Sequence, residues 1–152
     1  MFEPNHNVLL VTTCILFIPL AFYAKKWFYR KEYILPAKQI RLQFLYESCL
    51  AAILFAVIVS SLLFWRNPEQ NGFIHTIDGI LVKVAIATFL VYVIFYKERW
   101  RDILFVIYVI LLFVFAALSH YFSSKKWCSP EHLFFHGGLH FACALSSTYA
   151  FI

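Results

Sequence analysis

The stretch His132-Leu133-Phe134-Phe135-His136-Gly137-Gly138-Leu139-His140, which runs on through apolar residues to Ile152, decides how this sequence folds. From 132 to 152 it carries no Asp, Glu, Lys or Arg. A helix of that length, rising about 1.5 Å per residue, matches the ~30 Å hydrocarbon core of a bilayer. Residues four apart share a helical face, so His132, His136 and His140 form one stripe of imidazoles about 12 Å long. Ionisable groups in such a segment face the interior of a bundle rather than lipid, and neighbours in a His-x-x-x-His pair can share a metal ion. The partners of the stripe must come from the rest of the chain.

Composition says what kind of chain that is. At 152 residues, 62% of them hydrophobic and 14% charged, the sequence is too apolar for a soluble domain of this size. Five runs approach bilayer length: about 8–24, 44–65, 74–96, 103–122 and 132–152. They are too long for barrel strands, and helices satisfy their own backbone hydrogen bonds in lipid. The fold expected is all-α: a polytopic membrane bundle of about five transmembrane helices, forming a single domain over 1–152.

The net charge of +5 is a topology signal and not a nucleic-acid footprint. Lys25, Lys26, Arg30, Lys31, Lys38 and Arg41 lie in the 25–43 connection, and Lys97, Arg99 and Arg101 in the 97–102 connection. Only Arg66, Lys125 and Lys126 lie on the other side. The positive-inside rule then puts the N-terminus, the 66–73 loop and the 123–131 loop outside or in a lumen, and the C-terminus in the cytosol. The first apolar run ends Ala21-Phe22-Tyr23-Ala24 like a cleavable signal. Its leading residues, however, carry Glu3 and no Lys or Arg, the pattern of a retained anchor. The 25–43 connection, with Trp27, Tyr29, Tyr33 and Pro36 among its basic residues, reads as an amphipathic stretch on cytosolic headgroups. Glu47, at that end of helix 2, is expected to be solvated or paired with these cations. Cys14, Cys49 and Cys143 lie in helices and Cys128 in a loop, so no disulfide framework is implied.

Candidate chemistry gathers at the other end. Helix 1 offers no ionisable residue and reads as packing with a kink at Pro19. Helix 2 finishes Ser60-Ser61-Leu62-Leu63-Phe64-Trp65, and helix 3 begins Ile74-His75-Thr76-Ile77-Asp78-Gly79, with Lys83 deeper and able to pair with Asp78 or snorkel. The topology brings Ser61, His75, Asp78, His120, His132 and His136 within about two turns of one membrane face, with His140 a turn deeper. Histidines from two helices plus an acid suit zinc, in which three protein ligands leave a fourth position for water.

A Ser-x-x-x-His at the end of one helix, an Asp early in the next and His-x-x-x-His at the start of the last resembles the CREST superfamily. That group includes alkaline ceramidases and the progestin and adipoQ receptors. The corresponding residues here are Ser61 to Trp65, Asp78, and His132 to His136. The resemblance implies zinc held by three histidines and hydrolysis of an amide or ester bond in a lipid-like substrate, with Asp78 and Ser61 near the bound water. The family's first histidine position is Trp65, and five helices stand in place of seven. His75, His136 and either His132 or His140 would then hold the metal. A haem-binding electron carrier with axial histidines from different helices is a second reading. A non-catalytic membrane protein with a degenerate site is a third.

The orientation has a direct test. A cysteine introduced at Asn71 is expected to react with an impermeant thiol reagent from the outside or lumenal face, and labelling only from the cytosolic face inverts the assignment.

Overall fold

The computed structural model describes residues 5–28 and 37–152. Glu3, Tyr29, Arg30, Lys31, Tyr33 and Pro36, used above for topology and interfacial anchoring, lie outside the described residues. Five helices follow one another: α1 (Asn7–Phe28), α2 (Ala37–Arg66), α3 (Phe73–Tyr96), α4 (Ile103–Lys125) and α5 (Pro130–Thr148). The all-α bundle is as expected, with bounds that differ where polar residues continue a helix. The 37–43 segment, expected in the interfacial connection, is the first two turns of α2, because Lys38, Gln39, Arg41 and Gln43 are good helix formers once Pro36 has been passed.

Local irregularities have sequence causes. Within α1 the chain tightens into a 3-10 stretch at Cys14–Leu16. Pro19 lacks an N–H and its ring crowds the carbonyl four residues back, that of Ile15 in the middle of this stretch. Asp102 caps α4 by accepting from the backbone N–H of Leu104 and Phe105. Ser129 caps α5 by accepting from His132 N, with Pro130 in the first turn where no N–H is needed.

Four helices, α1 to α4, are long and apolar enough to cross a bilayer. The segment expected as the fifth such span is of another kind. Three histidines and a Ser146-Ser147-Thr148 ending make α5 the more polar helix; one face is buried at Leu133, Gly137, Leu139, His140, Ala142 and Ala144, and Phe134, Phe141 and Leu145 are exposed on the other. The helix packs against α1 and α4 and touches α3. The approach to α4 depends on Gly138, where an added Cβ would lie 2.7 Å from the Phe115 ring. Side chains such as Val11, Phe28, Phe95 and Ile103 point outward, as a lipid solvent allows.

At the end opposite the histidines, Glu47 is fully buried. The pairing expected for it is present, but the solvation is not. Lys26 Nζ donates to Oε1 at 2.6 Å, Gln43 Nε2 at 2.9 Å and Tyr92 OH at 2.9 Å, and Trp27 Nε1 donates to Oε2 at 2.8 Å. Lys97 Nζ approaches Oε1 at 3.1 Å. In a regular α-helix residues 92 and 97 would point about 140° apart. The last turn of α3, Tyr92–Tyr96, is π-helical, with Lys97 N donating to Tyr92 O, and this wider turn brings both side chains to the same carboxylate. The knot joins α1, α2 and α3.

Beyond the short 97–102 connection α3 and α4 do not pack directly against each other among the described residues. They form the two sides of a wedge backed by α2 and α5.

Two substitutions probe these constraints. Glu47→Gln strands Lys26 and Lys97 without their counter-charge and is expected to lower stability by about 3–5 kcal/mol. Gly138→Ala, which crowds the Phe115 ring, should lose about 1–3 kcal/mol. Both are read as midpoints of thermal unfolding in detergent.

Candidate functional site

The wedge between α3 and α4 holds a cavity of about 560 Å3, and Ser61, His75, Asp78, His132, His136 and His140 all line it. The sequence-predicted residues therefore come together. His120 also lines the cavity, as an exposed residue on α4. Lys83 does too, and it pairs with no acid among the described residues. From this polar end the cavity continues down the bundle to Val93 and Phe105, bordered mainly by aliphatic and aromatic side chains.

The imidazole stripe is present as the helical spacing requires. Ring centroids of His132 and His136 are 5.6 Å apart and those of His136 and His140 5.0 Å, each pair nearly perpendicular. What spacing does not reveal is that each Nδ1 is held. Cys128 N donates to His132 Nδ1 at 3.2 Å, and Asn71 N donates to His75 Nδ1 at 3.1 Å. Ser119 Oγ lies 3.0 Å from His136 Nδ1, and Thr12 Oγ1 lies 2.9 Å from His140 Nδ1.

These partners sort the rings chemically. A backbone N–H can only donate, so Nδ1 of His75 and His132 must accept, and the neutral ring carries its proton on Nε2. The two donors are alike in a second respect. Asn71 and Cys128 each stand four residues before their histidine with positive φ, 63° and 55°. Asn tolerates this left-handed conformation, but for Cys it costs about 1–2 kcal/mol. Burial pushes the Cys128 thiol up in pKa, so this residue acts here through its backbone rather than as a thiolate. Around His140 the sense is reversed. Thr12 Oγ1 donates to Leu9 O at 3.3 Å, leaving its oxygen to accept from Nδ1–H and the lone pair of His140 on Nε2. The Ser119 hydroxyl permits either arrangement at His136.

Asp78 is buried on α3, and its Oδ1 accepts from both Ser60 Oγ and Ser61 Oγ at 2.6 Å. Two hydroxyls on one oxygen compensate part of the cost of burying the carboxylate and fix its plane. Among the described residues Oδ2 has no hydrogen-bond partner.

Trp65, at the position where the resemblance expects a histidine, is fully buried. Its ring meets His136 edge-on at 4.9 Å and stacks on Trp127 at 6.1 Å and 12°. A three-histidine zinc site needs three lone pairs directed to one point. His75 and His132 have given theirs to backbone N–H groups, and Trp65 has none to give. Among the described residues no three His, Cys, Asp or Glu side chains are placed to share an ion. The donor set does not fit the zinc site that the resemblance implies.

Four contributors escaped the sequence reading in different ways. Ser60 was in view beside Ser61, but a strand of two serines does not say which reaches the acid. Ser119 adjoins His120 and was overshadowed by it. Thr12 looked like packing, since no spacing rule connects it to His140, 128 positions away. Trp127 lies in a loop with no spacing rule that ties it to His75 or His132. No known protein family, curated protein or solved structure matches the chain.

The ring assignments are checked by nitrogen NMR of labelled histidine in detergent. His75 and His132 are expected as the Nε2–H tautomer and His140 as Nδ1–H; Thr12→Val should disturb the His140 resonances and leave those of His132 in place.

Proposed function

We propose that this chain takes a lipid-like amide or ester into its bundle and hydrolyses it, with Asp78 as the base. The observation that carries the reading is one cavity that joins an oriented carboxylate to an apolar wedge between two membrane helices. An acyl chain suits the wedge, whose lower walls are mainly aliphatic and aromatic, with the Ser146 and Ser147 hydroxyls there bonded to carbonyls of their own helix. The polar head of the same molecule then lies among the histidines and Asp78.

The chemistry asked of Asp78 is general-base catalysis. Ser60 and Ser61 hold Oδ1, and Oδ2 takes a proton from water as the water oxygen bonds to the substrate carbonyl carbon. The resulting carboxylic acid returns that proton to the leaving nitrogen or oxygen as its bond to carbon breaks. Proton count and charge balance without a further reactant. No step is assigned to a metal, because the donor set does not fit one; the pair best suited to accept zinc is His136 with His140.

A second reading has its own support. Trp65 fills the space beside His136 with a ring that cannot ligate, which favours a lipid-binding protein without turnover. A haem carrier gains less, since His75 has no free lone pair and Asp78 would have no role.

The test uses purified protein in maltoside detergent with fluorogenic long-chain amides and esters. Wild type is expected to turn over at least one class. Asp78→Asn should bind equally well and lose about 10²–10⁴-fold in rate. Saturable binding with no turnover in wild type selects the second reading. Zinc measured alongside settles the cofactor: any bound ion should survive His132→Ala and be lost in His136→Ala and His140→Ala.

A further inference from the structure

Beside Asp78 lies a cluster of rings to which the hydrolytic step assigns no role. Trp65, Trp127, His75 and His132 all line the cavity. Trp127 is its centre: its ring centroid is 4.9 Å from His132, 5.4 Å from His75 and 6.1 Å from Trp65. Phe64 closes the back, stacked on His75 at 5.0 Å and 4.7 Å from Trp65.

What these four rings present is hydrogen-bond donors. The indole Nε1–H groups of Trp65 and Trp127 are buried and have no acceptor among the described residues. Buried indoles ordinarily find one, and an unmet buried donor calls for an explanation. His75 and His132 add two more N–H groups, because the backbone of Asn71 and of Cys128 fixes their protons on Nε2. Both fixing residues hold left-handed backbone conformations, a repeated device at two separate loops. Both histidines lie in the first turns of long helices, α3 and α5, whose N-terminal ends favour negative charge. Around the same end the exposed cations Arg66, Lys125 and Lys126 outnumber the exposed acids Glu69 and Glu131. Asp78, the acid on this cavity, turns Oδ1 to the serines of α2 and makes no hydrogen bond to the cluster.

We propose that Trp65, Trp127, His75 and His132 form an oxyanion site that holds the carboxylate or phosphate of a lipid whose chain lies in the wedge between α3 and α4. A group made only of donors takes a ligand made only of acceptors, and two protonated Nε2 positions repel a metal cation. The lipid origin follows from continuity, since the cavity runs from this cluster to Val93 and Phe105 without leaving the bundle. The site stands without the hydrolytic reading, because binding can be measured where turnover cannot occur.

The experiment is calorimetric titration of the full chain carrying Asp78→Asn, in maltoside micelles, with oleate, oleyl phosphate, oleyl alcohol and inorganic phosphate as probes. Oleate or oleyl phosphate should bind saturably and about tenfold or more tighter than oleyl alcohol, as loss of charge-assisted hydrogen bonds requires. Trp127→Phe, which keeps the ring and removes the N–H, should remove most of that preference and leave alcohol binding unchanged. Trp65→Phe should do the same; Trp127, being only partly buried, is the safer variant for folding. Equal affinity for oleyl alcohol and the anions, or an unchanged preference in Trp127→Phe, overturns the oxyanion site. Inorganic phosphate binding as tightly as oleyl phosphate overturns the lipid origin. Failure of hydrolysis in wild type with these preferences intact would sink the proposed activity and leave this site standing.

Discussion

A carboxylate that water cannot reach must find its entire solvation inside the protein, and Glu47 finds it in donors from three helices. In a lipid solvent the hydrophobic effect does little to hold one apolar helix against another, so such polar contacts and close packing determine the arrangement. The knot sets the relative depth of α1, α2 and α3 at one end of the bundle. The π-helical close of α3 is a consequence, since without it Tyr92 and Lys97 could not both reach the same oxygen. Lys97 also donates to the carbonyl of Ile152, which ties the segment after α5 to the same end.

With that end fixed, the other becomes the place where helices can differ. There α1, α2, α3, α4 and α5 each send polar side chains inward: Thr12, Ser60 and Ser61, Asp78, Ser119 and the histidine row. All of them except His132, which is held by the backbone of Cys128, have a hydrogen-bond partner on another helix. Their pairing holds the bundle together where α3 and α4 separate, and the cavity exists because those two helices are joined at the Glu47 end but share no packed seam above it. A site for a lipid-sized molecule thus follows from where the polar contacts are and where they are missing.

The helical class and the gathering of His75, Asp78, Ser61 and the stripe on one level were legible because they depend on length, composition and the four-residue period. Parity of the crossings did the rest. Three things were not legible. The 37–43 turns were lost because charge was read as an interface signal where helix propensity also applies. The greater burial and polarity of α5 were not legible because length alone classed it with the four more apolar helices. The tautomers were out of reach altogether: they depend on backbone conformations at Asn71 and Cys128 that no sequence period encodes.

His-x-x-x-His states only that two imidazoles share a face, and the chemistry depends on which nitrogen keeps its lone pair. Here the row is divided. At His132 a backbone N–H makes the ring a donor, while at His140 the Thr12 hydroxyl makes it an acceptor, eight residues along the same helix. His136 lies between them with Ser119 able to serve either way. Trp65 meets His136 and the donor end of the row, where its N–H adds to the same character, and not His140. The buried N–H of Trp65 and the Nε2–H of His132 therefore point the same way. Together they turn the outer part of a metal-like constellation into a surface for oxygen acceptors, and they leave the lone pairs that could still bind a cation one turn deeper.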